Sequence, residues 1–284
     1  MKTRSLYCVP ALLFFLPFLL FPLVDCLGLS RFVWDGITQD KVFVGLGHYR
    51  ALWLDPVMRS SLGHNALLIL FSLLFQLSLA FLLALFVSKL SRGARLMKGA
   101  LLTPLMLSPV ACGLLWGDLL DPHLGPIQTG LRGLGILSRP QGWLSDPGWS
   151  LFWIFIAISW RHVGFHVLLM LAGLERIPRQ TEEAARVDGA GRLGVTFHIT
   201  LPLMGKTVAL CGLLSVVGSL KYFDLVYAMT RGGPAHATEL VATYAYKLAF
   251  DQSRMGYACA AFSVLFGLTF GAGVLYRLLR GRSG

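Results

Sequence analysis

Six stretches of this chain are dominated by apolar residues, and the segments between them carry nearly all of the charges. A helix of about 20 apolar residues crosses the hydrocarbon core of a bilayer, so stretches of this length predict membrane-spanning helices. The pattern therefore predicts an all-α, polytopic membrane protein with six transmembrane helices in one transmembrane domain, residues 1–284. The predicted spans are about residues 6–27, 64–88, 99–120, 149–174, 204–225 and 255–277.

The first stretch also has features of a secretory signal, because Lys2 and Arg4 precede a core rich in Leu and Phe. No small-x-small cleavage site follows it, and the residues before Cys26 lack the small side chain that lipoprotein processing requires. We therefore expect this segment to be retained as the first transmembrane helix.

The composition excludes an ordinary soluble enzyme. Hydrophobic residues make up 55% of the chain and charged residues only 14%, whereas soluble domains have about 25% charged residues. The formal net charge of +11 first suggests binding to nucleic acid. However, the basic residues lie between apolar runs rather than on a solvated face interleaved with aromatic residues. We therefore expect membrane lipid, and no nucleic acid, as a partner.

The distribution of Lys and Arg predicts the orientation of the helices, because cytoplasmic loops are enriched in these residues. With six spans and an inner N-terminus, the inner segments carry 14 basic and four acidic residues. The outer segments carry ten of each, and Arg161 lies within the fourth span. Both termini are therefore predicted to face the cytoplasm.

The inner loop 175–203 contains helix signals that the outer loops lack. Thr181 is placed to cap a short helix, with Glu182 and Glu183 in its first turn, where the helix dipole favours acidic side chains. The Asp188-Gly189 pair ends this helix, a second segment is predicted from Arg192 to His198, and Pro202 marks the entry into the fifth span. The outer loops, rich in Gly, Pro, Trp and Asp, predict turns and short helices.

One motif in this loop has a defined spacing. Glu183-Ala184-Ala185 is followed after three residues by Gly189, and after nine more by Ile199-Thr200-Leu201-Pro202. The motif resembles the cytoplasmic signature of permease subunits in binding-protein-dependent ABC importers. Other segments resemble the carbohydrate-type subgroup, which carries sugars or glycerol phosphate: Gly173-Leu174-Glu175-Arg176-Ile177-Pro178, Thr230-Arg231-Gly232-Gly233-Pro234 and Met255-Gly256-Tyr257-Ala258.

The resemblance implies a translocation subunit of the inner membrane of a bacterium, and not an enzyme. Its implied partners are a second, related permease, two ATP-binding subunits and an extracytoplasmic solute-binding protein. The loop 175–203 would transmit the closing of the ATPase subunits, and ATP and Mg would be bound by those subunits, with no cofactor in this chain. The implied coupling residues are Glu183, Ala184, Ala185, Asp188, Gly189, Ile199, Leu201 and Pro202, and the implied loop facing the binding protein contains Gly232, Gly233 and Pro234.

The sequence patterns for a metal site, a phosphate-binding loop and disulfides are all weaker than the permease motif. His162 and His166 have a metal-ligand spacing, but Val163 occupies the position where the zinc-protease pattern has Glu, so we interpret them as an interior-facing polar pair and predict no metal site. Gly205-Lys206-Thr207 ends like a phosphate-binding loop, but Thr200 stands where the first glycine is required. The five cysteines show no C-x-x-C spacing, so we expect core or lipid-facing thiols rather than disulfides.

Ionisable and aromatic residues within or near the spans are candidates for the substrate pathway, because charges are costly in lipid. These candidates are Trp116, Asp118, Arg161, Tyr222 and Asp224. Two alternatives stay open: Arg161 pairs with a neighbouring helix, and the residues near 221–224 form an interfacial aromatic belt in which Lys221 and Asp224 pair one helical turn apart.

Two other functional classes compete with the importer permease. A stand-alone secondary transporter or channel needs no docking loop, but it is expected to have ion-coupling residues in broken helices, and acidic residues within the spans are nearly absent. An intramembrane hydrolase built around His162 lacks both a nucleophile and a metal triad.

Overall fold

The computed structural model describes residues 13–281, without the side chains at 179, 186, 280 and 281. Residues 6–12 of the first predicted span, Lys2 and Arg4 lie outside the described residues. The described elements are α1 (Leu13–Leu29), β1 (Phe32–Val33), β2 (Val42–Phe43), α2 (Gly47–Leu54), α3 (Pro56–Ser88), α4 (Ala94–Met106), α5 (Pro109–Leu119), α6 (Pro126–Gly133), α7 (Ser150–Leu174), α8 (Arg179–Val187), α9 (Arg192–Leu203), α10 (Gly205–Lys221), α11 (Asp224–Thr230), α12 (Val241–Tyr246, extended by a π-helical turn, Lys247–Asp251) and α13 (Met255–Gly281).

Three of these helices, α3, α7 and α13, are long and apolar enough to cross a membrane. Two bent pairs, α4 with α5 and α9 with α10, raise the number to five within residues 13–281 if each pair is one span. The helix α1 is apolar but shorter. The chain is therefore a helical membrane protein.

The longest helix, α3, begins at a well-formed N-terminal cap. The Asp55 carboxylate accepts hydrogen bonds from the backbone N–H groups of Val57 at 2.9 Å and Met58 at 3.3 Å, and Pro56 occupies the first helical position. Proline suits that position because its missing N–H would have no helical partner there. A π-helical turn, Ser72–Gln76, interrupts the middle of α3 and carries the buried Gln76.

The predicted third span, 99–120, is not one straight helix, because α4 and α5 meet at 98°. Leu107 is extended at the break, and the Ser108 hydroxyl accepts a hydrogen bond from the Ala111 N–H at 3.1 Å. Pro109 starts α5. The break follows from the sequence Ser108-Pro109, since the residue before a proline disfavours helical backbone angles.

The predicted fifth span, 204–225, is also shorter and more broken than expected. The helix α9 continues past His198 to Leu203, and α10 leaves it at 70°. At the other end, α10 stops at Lys221 because Tyr222 adopts an extended conformation, and α11 starts only at Asp224. The expected second segment, Arg192–His198, is thus part of a longer helix that leads into the span.

The short helix of the inner loop exists, but its predicted cap is wrong. The helix α8 begins at Arg179, two residues before Thr181, and the Thr181 N–H donates to the carbonyl of Pro178 at 3.0 Å. The proline that precedes the helix therefore marks its start, and Thr181 lies within the first turn. The predicted end at Asp188-Gly189 is confirmed.

The predicted outer loops contain turns and the short helices α2, α6, α11 and α12, as expected. One feature was not predicted: β1 and β2 form an antiparallel hairpin in which Phe32 pairs with Phe43. The hairpin lies against the start of α13, where the Gly256 N–H donates to the Trp34 carbonyl at 3.1 Å.

Three apolar clusters hold the helices together. The first joins α2, α12 and α13, the second joins α5, α7 and α11, and the third joins the C-terminal halves of α3 and α7 to the start of α10. Cys112, Cys211 and Cys259 are buried with free thiols, in agreement with the core role expected for them. The ends of α3 and α7 lie beside α8, and we call this side of the molecule the α8 end and the other side the opposite end.

Candidate functional site

The motif residues of α8 lie on the surface at the α8 end. Glu183 and Ala184 are exposed, and Ala185 is half-buried. Two large apolar side chains beside the motif are exposed as well, Val187 by 87% and Leu193 by 75%. Exposed apolar side chains beside small residues are typical of a surface that contacts another protein, and the spacing of the motif alone did not point to these two.

Gly189 ends α8 in a left-handed conformation, with φ = +86°. The Ala190 N–H donates to the Ala185 carbonyl at 2.9 Å, which is the hydrogen bond of a Schellman C-terminal cap. Glycine adopts this conformation without steric cost, so it allows α8 to end sharply and the chain to turn into α9.

Behind α8 lies a cavity of about 650 Å³, bounded by the ends of α3 and α7 and by α9. Glu182 and Glu183 line it, and the buried Thr200 hydroxyl donates to Glu182 at 3.3 Å. The second half of the motif anchors α9, because Leu201 packs against the third apolar cluster, whereas Ile199 is half-buried and Pro202 is exposed. The structure thus divides the motif into an exposed helix and a partly buried anchor, in which Thr200 is the buried residue.

Arg161, in the middle of α7, binds the break between α4 and α5. Its Nη2 donates to the carbonyl oxygens of Leu107 at 3.0 Å and Leu105 at 3.5 Å. These carbonyls lie where the helix is interrupted and lack helical partners. The structural-pairing alternative for Arg161 is therefore what the structure shows, although the same side chain also lines a cavity.

The two histidines of α7 face other helices, as an interior-facing pair. Arg161 Nη1 donates to His162 Nε2 at 2.9 Å, so the His162 proton is on Nδ1, which lies 3.0 Å from the Ile158 carbonyl. His166 is buried, and its Nε2 lies 3.2 Å from the hydroxyl of Ser215 in α10. Within residues 13–281 no group of three His, Cys, Asp or Glu side chains is arranged to hold a metal ion.

A second cavity, of about 330 Å³, lies between α7, α10 and the break that follows α10. Three of the predicted pathway residues, Arg161, Tyr222 and Asp224, line it together with Lys221 and Phe223. The expected pairing of Lys221 with Asp224 is wrong: the chain is not helical between them, and they form no ion pair in the described structure.

The other two predicted pathway residues do not line this cavity. Trp116 is 8% exposed and packs in the second apolar cluster against Trp160, with ring centroids 5.9 Å apart. Asp118 is exposed on α5. Only the first residue of α5, Pro109, lines this cavity, and Trp116 and Asp118 lie further along the helix.

At the opposite end, the loop between α11 and α12 contains Gly232, Gly233 and Pro234. Gly232 has φ = +79°, and the Gly233–Pro234 peptide bond is cis. The Thr238 hydroxyl donates to the Gly233 carbonyl at 2.7 Å. Close beside this loop lies Glu239, which is completely buried. Sequence reasoning missed Glu239, although an acidic residue next to the apolar run Leu240–Ala242 was a signal of burial.

Asp55 joins three elements at the opposite end. Besides capping α3, its Oδ2 accepts hydrogen bonds from the hydroxyls of Tyr244 in α12 at 2.5 Å and Tyr257 in α13 at 3.1 Å. Burial raises the pKa of this carboxyl, but the bonds from Tyr244, Met58, Val57 and Tyr257 outweigh it, so the pKa of Asp55 is lowered overall.

The fold and the two cavities define a helical membrane protein with broken spans, a polar space between its helices and a protruding helix at one end. The chain belongs to the family of binding-protein-dependent transport system inner membrane components, which matches residues 4–283. The family resemblance drawn from the motif is thus confirmed. The chain is a translocation component of a transport system that depends on a binding protein, and not an enzyme.

Individual relatives cover most of the chain. The lactose transport system permease protein LacF of Rhizobium radiobacter is 31% identical, over 86% of this chain and 82% of the relative. The arabinooligosaccharides transport system permease protein AraP of Bacillus subtilis (strain 168) is 29% identical, over 92% and 82%. A chain from the crystal structure of a bacterial ABC transporter that imports alginate has the same fold, with a TM-score of 0.81, 24% identity and coverage of 97% and 96%.

Proposed function

We propose that this chain is the permease subunit of an ATP-binding-cassette importer for a sugar or sugar derivative, delivered by an extracytoplasmic binding protein. The family supports the dependence on a binding protein. Two relatives are named as transport proteins for lactose and for arabinooligosaccharides, which supports a sugar as the solute. A chain of a bacterial ABC transporter involved in the import of alginate has the same fold, which supports the fold of an importer permease.

The observation that carries the proposal is the exposed helix α8 with its Schellman cap at Gly189. An ATP-binding subunit docks on this helix, with Ala184 entering a groove and Val187 and Leu193 extending the contact. In this proposal two such subunits bind ATP and Mg and drive the transport cycle, and this chain itself holds no cofactor. Their closing movement passes from α8 to α9 through the anchor at Leu201, and from α9 to the bend before α10.

In the proposed arrangement the chain lies in the inner membrane of a bacterium, as a single domain of six spans. The helix α1, with the residues before it, forms the first span, and each bent pair counts as one span. Both termini and α8 then lie on the cytoplasmic side, where the predicted excess of Lys and Arg is found. The loop containing Gly232, Gly233 and Pro234 lies on the opposite side and faces the binding protein.

The solute passes along the cavity that contains Arg161, Tyr222 and Asp224, at the surface shared with a second, related permease. The aromatic ring of Tyr222 suits the C–H face of a sugar, and the charged groups of Arg161 and Asp224 suit its hydroxyls. Trp116 and Asp118 lie on α5 outside this cavity, and their part in the pathway stays a prediction.

Purification of the tagged chain from its own host in mild detergent tests this function. An ATP-binding subunit and a second membrane subunit are expected to co-purify, and deletion of the chain is expected to abolish uptake of one member of a radiolabelled sugar panel. A chain that purifies alone and transports a solute in liposomes without ATP would contradict the importer and favour the stand-alone transporter.

A further inference from the structure

The loop between α11 and α12 has an unusual backbone. Four residues in or next to it have left-handed φ angles: Arg231, Gly232, Ala235 and His236. Left-handed angles are unfavourable for residues with a side chain, by about 1 kcal/mol or more each, and persist only where the surroundings hold them. The contacts that hold this loop are therefore of functional interest.

The buried carboxylate of Glu239 lies under this loop. Its Oε2 accepts hydrogen bonds from Lys247 Nζ at 2.6 Å and from His236 Nδ1 at 2.9 Å. A Cβ atom at position 232 would lie 2.5 Å from each carboxylate oxygen, so the carboxylate can reach this position only because residue 232 is glycine. Glu239 thus contacts both arms of the loop and the helix that follows it.

The same segment is tied to the long helix α3. His64 Nδ1 donates to the Glu239 carbonyl at 2.9 Å. The Asn65 amide accepts from the Val241 N–H at 3.0 Å and donates to the Ser219 carbonyl at 2.8 Å. Because Ser219 belongs to α10, the base of the loop is fixed to α3 and to α10, and α10 also lines the second cavity.

The outer face of the loop is accessible, in contrast to its base. Arg231, Ala235 and His236 are exposed, while Glu239 has no exposed surface at all. The loop therefore presents an exposed surface that includes the cationic Arg231, directly above a buried carboxylate.

We infer that Glu239 is a positioning residue: through its contacts with Lys247, His236 and Gly232 it holds the loop 231–238 in the shape that the binding protein recognises. The inference rests on the proposed function, in which this loop faces the binding protein. Breaking a buried ion pair by removing one partner costs more than removing both, because an unpaired buried charge remains.

The test compares E239Q, K247M and the double variant E239Q/K247M in the complete transporter, with K247R as the conservative control. ATPase stimulation is titrated with the extracytoplasmic protein fraction of the same cells, at equal amounts of assembled transporter. Each single variant is expected to raise the half-saturating concentration about tenfold and leave the saturating rate unchanged. The double variant is expected to recover part of this loss, and K247R most of it.

Cleavage by trypsin after Arg231 reports the order of the loop directly, and it is expected to be faster in both single variants. The inference is overturned if the single variants have an unchanged half-saturating concentration when equal amounts of assembled transporter are compared. A lower yield of transporter alone would mean that Glu239 contributes only to stability. Failure of the proposed function gives a different result: the ATPase activity of the unmodified transporter would then not be stimulated by the extracytoplasmic fraction.

Discussion

Two loops of this protein each contain a left-handed glycine, but the surroundings of the two glycines are opposite. A Cβ atom at Gly189, after α8, would meet nothing within 4 Å, whereas at Gly232 it would meet the Glu239 carboxylate. The first glycine ends an exposed helix, and the second makes room for a buried charge. The difference shows that the same backbone conformation ends a surface helix at one end of the molecule and allows close internal packing at the other.

The largest effect is expected from a proline at position 189. Proline fixes φ near −65°, whereas Gly189 has φ = +86°, so Gly189→Pro is expected to abolish uptake and ATPase coupling. The exposed site leaves membrane insertion intact. Uptake of labelled sugar and the amount of chain in the membrane fraction are the measurements.

Gly135 provides a matched control, because it follows α6 with φ = +72° and the Ile136 N–H donates to the Leu131 carbonyl at 2.9 Å, the same type of cap. Gly135→Pro is expected to retain uptake. An equal loss of uptake in both variants would show that proline damages the backbone in general, and it would contradict a coupling role for α8.

Alanine substitutions at Gly189 and Gly232 test the difference between the surroundings of these two glycines through protein stability. Gly232→Ala combines left-handed strain with a clash against Glu239 and is expected to cost about 3 kcal/mol in the free energy of unfolding. Gly189→Ala has only the strain and is expected to cost about 1 kcal/mol. Thermal unfolding in detergent measures both, and similar losses would mean that the Glu239 carboxylate moves aside without cost.

Replacement of Arg161 tests the contact that bridges the α4–α5 break. Arg161→Met removes charged hydrogen bonds to the Leu105 and Leu107 carbonyls and is expected to cost about 2 kcal/mol in the free energy of unfolding. Arg161→Lys keeps the charge but lacks the forked geometry, so it is expected to recover only part of that loss. Full recovery in the lysine variant would show that charge alone matters.

The smallest effect concerns pH at the opposite end. The folded-state pKa of Asp55 is lowered from 3.8, so its contribution to stability is complete above that value and is lost as pH falls through the lower, folded-state pKa. Asp55→Asn retains a good helix cap. In this variant the unfolding temperature is expected to depend less on pH below about pH 4. If the unfolding temperature of the variant falls with pH as steeply as before, other carboxylates cause that fall.

Several elements were predictable because their signals are local. The acidic residues after Thr181 and the Asp188-Gly189 pair predict a short helix, and the structure has that helix, although Pro178 rather than Thr181 marks its start. Pro109 is a local signal for the break at Ser108-Pro109, but the apolar run continues across it and favours one span. The coupling role of α8 itself stays a prediction.

The buried polar contacts were not predictable in the same way. Arg161 contacts Leu107 from another helix, and Glu239 is buried under Gly232 by packing against α3 and α12. Neither partnership leaves a periodic pattern in the chain: Arg161 meets Leu107 only when separate helices pack together, and Glu239 meets His236 and Lys247 only because of the irregular backbone of the loop.

By itself, the sequence determined that this is a membrane protein with a short helix in one loop, since the length of an apolar run matches the thickness of a bilayer and glycine ends a helix. Only the tertiary structure decided where the spans bend, which pathway candidates share a cavity, and that Glu239 lies beneath the loop between α11 and α12. The physical reason is that a buried charge requires partners: those of Arg161 come from a segment distant along the chain, and those of Glu239 are near in sequence but meet it only because the loop folds back over it.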